Sequence, residues 1–425
     1  PPTSPPHLTL FPYTTLFRSY MIINLPEDVR HIINKLADEG YEAYAVGGCV
    51  RDSVIGRVPD DWDITTSARP EDVKRIFRRT VDTGIEHGTV TVMIGREGYE
   101  VTTFRIDGEY KDSRHPENVE FTASLKEDLK RRDFTINAMA YNEQEGIVDL
   151  FGGMDDIRSG IIRCVGNPAD RFAEDALRML RAVRFSALLG YDIDKDTAAA
   201  IEELAGTIAA VSKERIHTEI GKTIMSSHPE YIEKACRLGI TPVVFGEFDR
   251  IDDKELSYKL IKKMPMQIAF RYAALLFAAG EQGTRRMLRE LKLDNATVDL
   301  AVILVKYHGI QLTEDEYIIR CTASKTGADR LHDILKFEKL FYETAGDTVS
   351  AHMAAEEDRI LSLIEARKEC LSIHELAING SDLISMGMQP GRQLGIMLGQ
   401  CLEHVLAAPE DNTYDTLKEL VHKLM

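Results

Sequence analysis

The chain has little of what marks several large protein classes. Its 425 residues hold only six cysteines, Cys49, Cys164, Cys236, Cys321, Cys370 and Cys401, with no Cys-x-x-Cys pair among them. That scatter excludes a disulfide framework or a zinc ribbon and reads as buried thiols in a reducing cytosol. No apolar run reaches the roughly 20 residues of a membrane-spanning helix. Positive charge is also short, with 52 basic against 69 acidic residues and a net charge of −17. Non-specific nucleic-acid binding through bulk charge is thereby disfavoured, although a local basic face is not. No repeat of fixed period occurs. Five of the first twelve residues are proline, and Arg18 is the only charge before Met21, so the start lacks the basic region and apolar core of a signal peptide. Residues 1–20 read as a foreign tract, a translated vector or adapter sequence, with Met21 as the expected natural start.

What is present centres on Val46-Gly47-Gly48-Cys49-Val50-Arg51-Asp52, followed by Asp61-Trp62-Asp63-Ile64. The apolar run Tyr44–Val46 predicts a strand aimed at two glycines, which open a short helix. Bare backbone at a helix N-terminus lets a phosphate approach unpaired N–H groups and the positive end of the dipole. Asp61 and Asp63 are expected on a strand, where residues i and i+2 share a face. Two carboxylates on one face repel unless a cation lies between them, and hard oxygen ligands suit Mg²⁺ holding a triphosphate.

Val29, Ile32, Ile33 and Leu36 keep helical spacing, which predicts a helix over 26–39. Arg69-Pro70 opens another, to about Arg79. Alternating Val and Thr over 89–94 and 99–105 predict a hairpin around Gly95–Gly98. Glu100 lies on its second strand, either a third metal-site carboxylate or a solvated edge residue. Residues 106–119 are polar and read as a long loop beside a catalytic sheet, a place where function concentrates. Helices are expected over 125–131 and 135–141, and a last strand over 147–150. From Pro168 onward the pattern is almost wholly helical. The fold expected is α+β: an α/β head with a mixed sheet over 21–158, then an all-α remainder.

A second constellation lies in Glu174-Asp175-Ala176-Leu177-Arg178-Met179-Leu180-Arg181-Ala182-Val183-Arg184-Phe185. Asp175, Arg178, Arg181 and Arg184 are three apart and would stack along one helix side. Such a row is commonly an ion-paired surface. Hydrogen-bond chemistry gives it a sharper meaning. Cytosine and adenine both present an exocyclic amine beside a ring-nitrogen acceptor, whereas uracil and guanine present a carbonyl beside a ring N–H. Asp175, which accepts, next to Arg178, which donates, matches the first pair and mismatches the second. Arg181 and Arg184 remain for phosphate or for orienting that pair.

The glycine turn with its Asp-x-Asp resembles the nucleotidyltransferase superfamily that includes DNA polymerase β. With Arg131-Arg132-Asp133-Phe134-Thr135-Ile136-Asn137-Ala138, Asp149-Leu150-Phe151-Gly152-Gly153, Ser212-Lys213-Glu214-Arg215-Ile216 and the segment from Gly380 to Gly391, the chain resembles the bacterial class II CCA-adding enzymes, which are tRNA nucleotidyltransferases. The resemblance implies a seahorse-like fold: polymerase-β-like head (21–158), neck (159–225), body (226–310) and tail (311–425). It implies Asp61 and Asp63 as catalytic metal ligands and Mg²⁺ as cofactor. Gly48, Arg51 and Arg132 would hold the triphosphate, and Asp175, Arg178, Arg181 and Arg184 the base. The implied reaction is template-independent addition of C, C and A to the 3′ end of tRNA, by two-metal transfer releasing pyrophosphate. The implied partners are ATP, CTP and the acceptor and T arms of tRNA, in the cytoplasm, with no membrane and no DNA.

Three rivals stand beside this reading. A bacterial poly(A) polymerase shares the fold but usually extends into a strongly basic tail, which the stretch 417–425 does not resemble. Enzymes adding only CC resemble the family but lack the loop retained here at Asp107–Pro116, which leaves full CCA addition or A addition alone. A non-catalytic RNA-binding module would not need Asp61, Asp63 and Arg178. Some relatives carry a phosphohydrolase domain with a His-Asp pair; His332-Asp333 has no partner set in the sequence and reads as an ordinary helix pair.

Overall fold

The computed structural model describes residues 21–107, 119–246, 248, 253–311 and 313–425. The N-terminal tract 1–20 and nearly all of the loop expected over 106–119 lie outside them. The chain divides into two units. The first takes the described residues up to Ala182 together with Tyr191–Val211, and the second takes Val183–Gly190 with Ser212–Met425.

In the first unit, α1 (Glu27–Asp38) buries Val29, Ile32, Ile33 and Leu36, the four positions read from the spacing. Glu27 and Asp28 in its first turn complement the helix dipole. The strands are β1 (Ala43–Val46), β2 (Ile64–Thr66), β3 (Thr80–Gly84), β4 (Thr89–Ile94), β5 (Glu97–Thr103), β6 (Arg105–Asp107), β7 (Val119–Phe121), β8 (Met139–Asn142), β9 (Gly146–Asp149), β10 (Ile161–Ile162) and β11 (Asp192–Ile193). Seven form one mixed sheet in the order β3-β4-β5-β2-β1-β8-β9. Its one parallel pairing is β2 with β5; β6 pairs with β7, and β10 with β11, apart from it. The connecting helices include α2 (Gly48–Val54), α3 (Pro70–Ile76), α4 (Leu125–Lys130), α5 (Gly153–Ser159), α6 (Pro168–Glu174) and α8 (Lys195–Leu204), with α7 (Leu177–Leu189) crossing the division. Strand β1 feeds two cores, Ala43 and Ala45 on one face and Tyr44 and Val46 on the other.

The hairpin forms, but its turn is the two residues between Ile94 and Glu97 rather than Gly95–Gly98, and its second strand ends at Thr103. Three further expectations are corrected. Thr135–Tyr141 is not a helix. Residues Thr135–Asn137 make one 3₁₀ turn and the chain then enters β8, between β1 and β9. A strand buried on both faces shows no alternation, so its sequence cannot be told from a buried helix by period. The helix opened by Pro70 stops at Ile76, and edge strand β3 follows. Asp61 and Asp63 precede β2 rather than lying within it.

The segment after 158 pairs with the residues that lead into β8. Thr135 N donates to Arg163 O (2.9 Å), Val165 N to Asp133 O (3.1 Å), and β10 pairs with β11. That pairing is why the division falls later than residue 158.

Gly153 opens α5 directly over the 3₁₀ turn. A Cβ there would stand 2.4 Å from Thr135 O and 3.0 Å from two atoms of the Met139 side chain. The first contact is backbone and cannot rotate away. Gly153→Ala is therefore expected to destabilise the protein by about 1–3 kcal/mol, the usual cost of overpacking. A urea unfolding midpoint equal to wild type would count against this close approach.

The second unit is helical throughout its described residues, beginning after the division with α9 (Lys213–Ile224). His332 joins the helices Ala328–Ala345 and Thr348–Ala366, its Nδ1 2.6 Å from Asp358 Oδ1 and its Nε2 2.8 Å from Glu365 Oε2. Both ring nitrogens are taken by structural carboxylates.

Candidate active site

Strand β1 ends at Val46, and Gly47 turns the chain with φ 83° and ψ −128°. Side chains other than glycine's rarely adopt that φ. A Cβ at Gly47 would also lie 3.0 Å from Arg132 Nη1. At Gly48, proposed from sequence for the triphosphate, a Cβ would make only an ordinary contact, 3.7 Å from Arg51 Nη2. The geometric demand thus falls on Gly47, while Gly48 supplies the first turn of α2 and its outward N–H groups. Gly47 N donates to Met139 O (3.1 Å), which pins the turn to β8.

Asp63 lies beside this turn, because Val46 N donates to Asp63 O (2.9 Å). The parallel register pairs Ile64 with Val101, which sets Glu100 alongside Asp63. Their fields meet. Protein packed around Asp63 strips away water and raises its pKa from 3.8 to about 6; Asp61 and Glu100 add repulsion, and Arg132 opposes them. A divalent cation would relieve that crowding, and three hard oxygen donors suit it. Among the described residues, however, no group of three or more His, Cys, Asp or Glu side chains is gathered closely enough to form a metal site by itself. The remaining ligands would come from substrate and water, as Mg²⁺ commonly accepts.

Two arginines serve this turn differently. Arg51 is buried; Nε and Nη2 each donate to Asp52 at 2.9 Å, and Nη1 donates to Asn137 Oδ1 at 2.6 Å. Arg132 sends Nη1 toward Gly47, and its Nε is buried with no partner among the described residues. A buried donor left unpaired is costly unless a ligand satisfies it. An anion seated on the glycine turn would meet the same guanidinium through Nη1.

The second constellation assembles less simply than its spacing suggests. Asp175 is not helical: it links α6 to α7 with φ −147° and ψ 105°, and its Oδ1 accepts from Leu177 N at 3.0 Å. Arg178 is buried on α7, paired with Glu174 and donating through Nη2 to Arg131 O at 3.3 Å. Glu174, missed in the sequence reading, also pairs with Arg171 at 2.5 Å and so braces Arg178. Its signal was the i, i+4 spacing to Arg178. Arg181 donates to Asp133 Oδ2 through Nε (2.7 Å). Burial disfavours the Asp133 charge, but Arg181 and Arg178 outweigh it and hold the carboxyl below its usual range. Asn137 Nδ2 reaches Asp133 Oδ1 at 3.3 Å, completing a chain Arg51–Asn137–Asp133–Arg181. Arg184 belongs to the second unit and donates to Glu219 of α9 at 2.5 Å.

Similarity to known proteins follows the same segments. The Poly A polymerase head domain family matches residues 43–163, the family described as an RNA and SrmB- binding site of polymerase A matches 190–251, and tRNA nucleotidyltransferase domain 2 matches 268–421. The CCA-adding enzyme of Lactiplantibacillus plantarum is 37% identical over 404 residues, covering 91% of this chain and 93% of the relative. That of Ligilactobacillus salivarius is 34% identical, covering 95% and 99%. The crystal structure of the Bacillus stearothermophilus CCA-adding enzyme in complex with CTP superposes with a TM-score of 0.75 at 34% identity, covering 92% of this chain and 96% of that one. On these similarities, and on the arrangement of Asp61, Asp63, Gly47 and Arg132, the chain belongs to the family of CCA-adding enzymes, the tRNA nucleotidyltransferases.

Proposed function

We propose that this protein adds C, C and A in turn to the 3′ end of tRNA, taking CTP and ATP and releasing pyrophosphate without a nucleic-acid template. The observation that supports the reading best is the meeting of three groups at one turn: Gly47, the Arg132 guanidinium whose Nη1 faces it, and Asp63, crowded by Asp61 and Glu100.

Asp61 and Asp63 would hold the divalent metal, taken as Mg²⁺, with Glu100 alongside. When bound, it supplies activation of the tRNA 3′-hydroxyl and neutralisation of the leaving pyrophosphate. The chain's own groups do the rest. Gly47 and Gly48 let the triphosphate approach the start of α2, and Arg132 donates to it from the side. Arg51, held by Asp52 and Asn137, adds positive charge beneath the turn. Arg178, braced by Glu174, offers donors to the base edge, and Asp175 offers the acceptor. Arg181, held by Asp133, would help to orient this pair, and Arg184 is itself held by Glu219.

The helical neck, body and tail, over 159–225, 226–310 and 311–425, would grip the acceptor and T arms of tRNA by shape and backbone. A tRNA substrate supports a cytoplasmic location for the enzyme. Incubation of tRNA lacking its 3′ end with labelled CTP and ATP tests the reading, and three ordered additions are expected. Addition of A alone to a tRNA ending in CC would indicate the A-adding enzyme, long A tracts the poly(A) polymerase, and tRNA binding without incorporation a non-catalytic module.

A further inference from the structure

One buried carboxylate outside the residues assigned so far reaches each part of the site. Asp128 of α4 has 0% exposure. Its Oδ1 accepts from Arg131 Nε (3.0 Å) and Nη2 (2.7 Å) and from the backbone N of Arg105 (3.4 Å). Its Oδ2 accepts from Thr65 Oγ1 (3.2 Å) and Arg132 Nη2 (3.4 Å). Burial works against its charge, yet Arg131 and Arg132 hold the carboxyl below the ordinary range.

Each partner leads to a different component. Thr65 lies two residues beyond Asp63, on the strand that the metal-site carboxylates enter. Arg132 turns its far side to Gly47. Arg131 is held by its side chain, so its carbonyl is fixed where Arg178 Nη2 donates to it at 3.3 Å. We propose that Asp128 is a positioning residue that sets Arg132 for the triphosphate and Arg178 for the base from one buried point. The proposal rests on the reading of this site as a nucleotidyl-transfer centre. Groups that orient metal-ligating side chains from behind typically carry tenfold to hundredfold effects without touching the metal, and an effect of about that order is expected here.

Asp128→Asn tests it. The amide keeps the shape and one oxygen for Arg131 but presents N–H groups where Arg132, which only donates, needs an acceptor. Wild type and variant are compared for CTP incorporation on tRNA lacking its 3′ end, for inhibition by inorganic pyrophosphate, and for UTP misincorporation. The expected result is a CTP KM raised about tenfold to a hundredfold, pyrophosphate inhibition weakened by a similar factor, and the preference for CTP over UTP reduced about tenfold. A general loss of structure would lower kcat without moving these three together.

Removing a buried charge can also prevent folding. The double variant Asp128→Asn with Arg131→Gln removes the matched pair while still releasing Arg132, and thermal melting reports which variants fold. A folded variant with unchanged CTP KM and pyrophosphate inhibition overturns the proposal, as does one in which phosphate binding and base choice do not move together. If neither variant folds, Asp128 is a folding determinant and the proposal fails. Wild-type protein that incorporates no CTP would sink the functional reading itself, which the wild-type reaction reveals separately.

Discussion

Asp63→Ala, and equally Asp61→Ala, should cut nucleotide incorporation by about a thousandfold or more, with tRNA binding and melting temperature close to wild type. Losing a carboxylate that holds a catalytic cation forfeits several kcal/mol of transition-state stabilisation, and each 1.4 kcal/mol is about tenfold in rate. Stability should not fall with it. Asp63 is crowded by Asp61 and Glu100, so replacing it relieves repulsion in the absence of metal. Incorporation is read in single-turnover reactions, tRNA binding by filter retention and folding by thermal melting. Turnover near wild type in either variant would remove the metal-ligand assignment. A large loss of tRNA binding would mean that the carboxylates act in the fold.

The second large effect concerns base choice. Asp175→Asn should lower the preference for CTP and ATP over UTP and GTP about tenfold to a hundredfold, since each mismatched polar contact in such a site is worth roughly 1–3 kcal/mol. The structure makes Asn the better test than Ala. Asp175 also accepts from Leu177 N at the start of α7, and an Asn carbonyl can keep that bond while Ala loses it. The amide then presents donors where a base amine needs an acceptor, so UTP and GTP become detectable substrates as CTP and ATP lose efficiency. Single-nucleotide incorporation with each of the four triphosphates reads the outcome. A uniform loss with unchanged selectivity would leave Asp175 as a helix-start carboxylate alone.

Local pattern made the candidate metal and triphosphate half of the site readable. A strand aimed at Gly47-Gly48 and a nearby Asp-x-Asp are short-range features, and the fold brings them side by side through Val46 N and Asp63 O. The apolar spacing of α1 was readable for the same reason. Strand β8 was not, because double-sided burial erases the alternation that names a strand. Long-range partners hid the supporting residues. Glu174 shows a spacing but not that it braces an arginine also bound to Arg131 O. Asp128 sits in an ordinary acidic helix start, and only the fold delivers Thr65 and Arg105 to it. The row Asp175, Arg178, Arg181, Arg184 was legible as a row, but its geometry was not, since the chain breaks from helix at Asp175.

The pairing of residues 163–165 with 133–135 bears on how such enzymes could be recombined. A chimera joined at residue 158 would take the sheet and residues 133–135 from one parent and the strand-like segment paired with them from another. It would also split Asp133 from Arg181, and Arg131 O from Arg178, across two ancestries. The natural exchange unit is therefore the sheet with α6, the start of α7 and the excursion through α8. Because that excursion leaves α7 and returns to the first unit, no single crossover transfers the unit without also carrying Val183–Gly190. Parents would have to be matched along α7 itself, where the proposed base-reading residues and the module boundary occupy one helix.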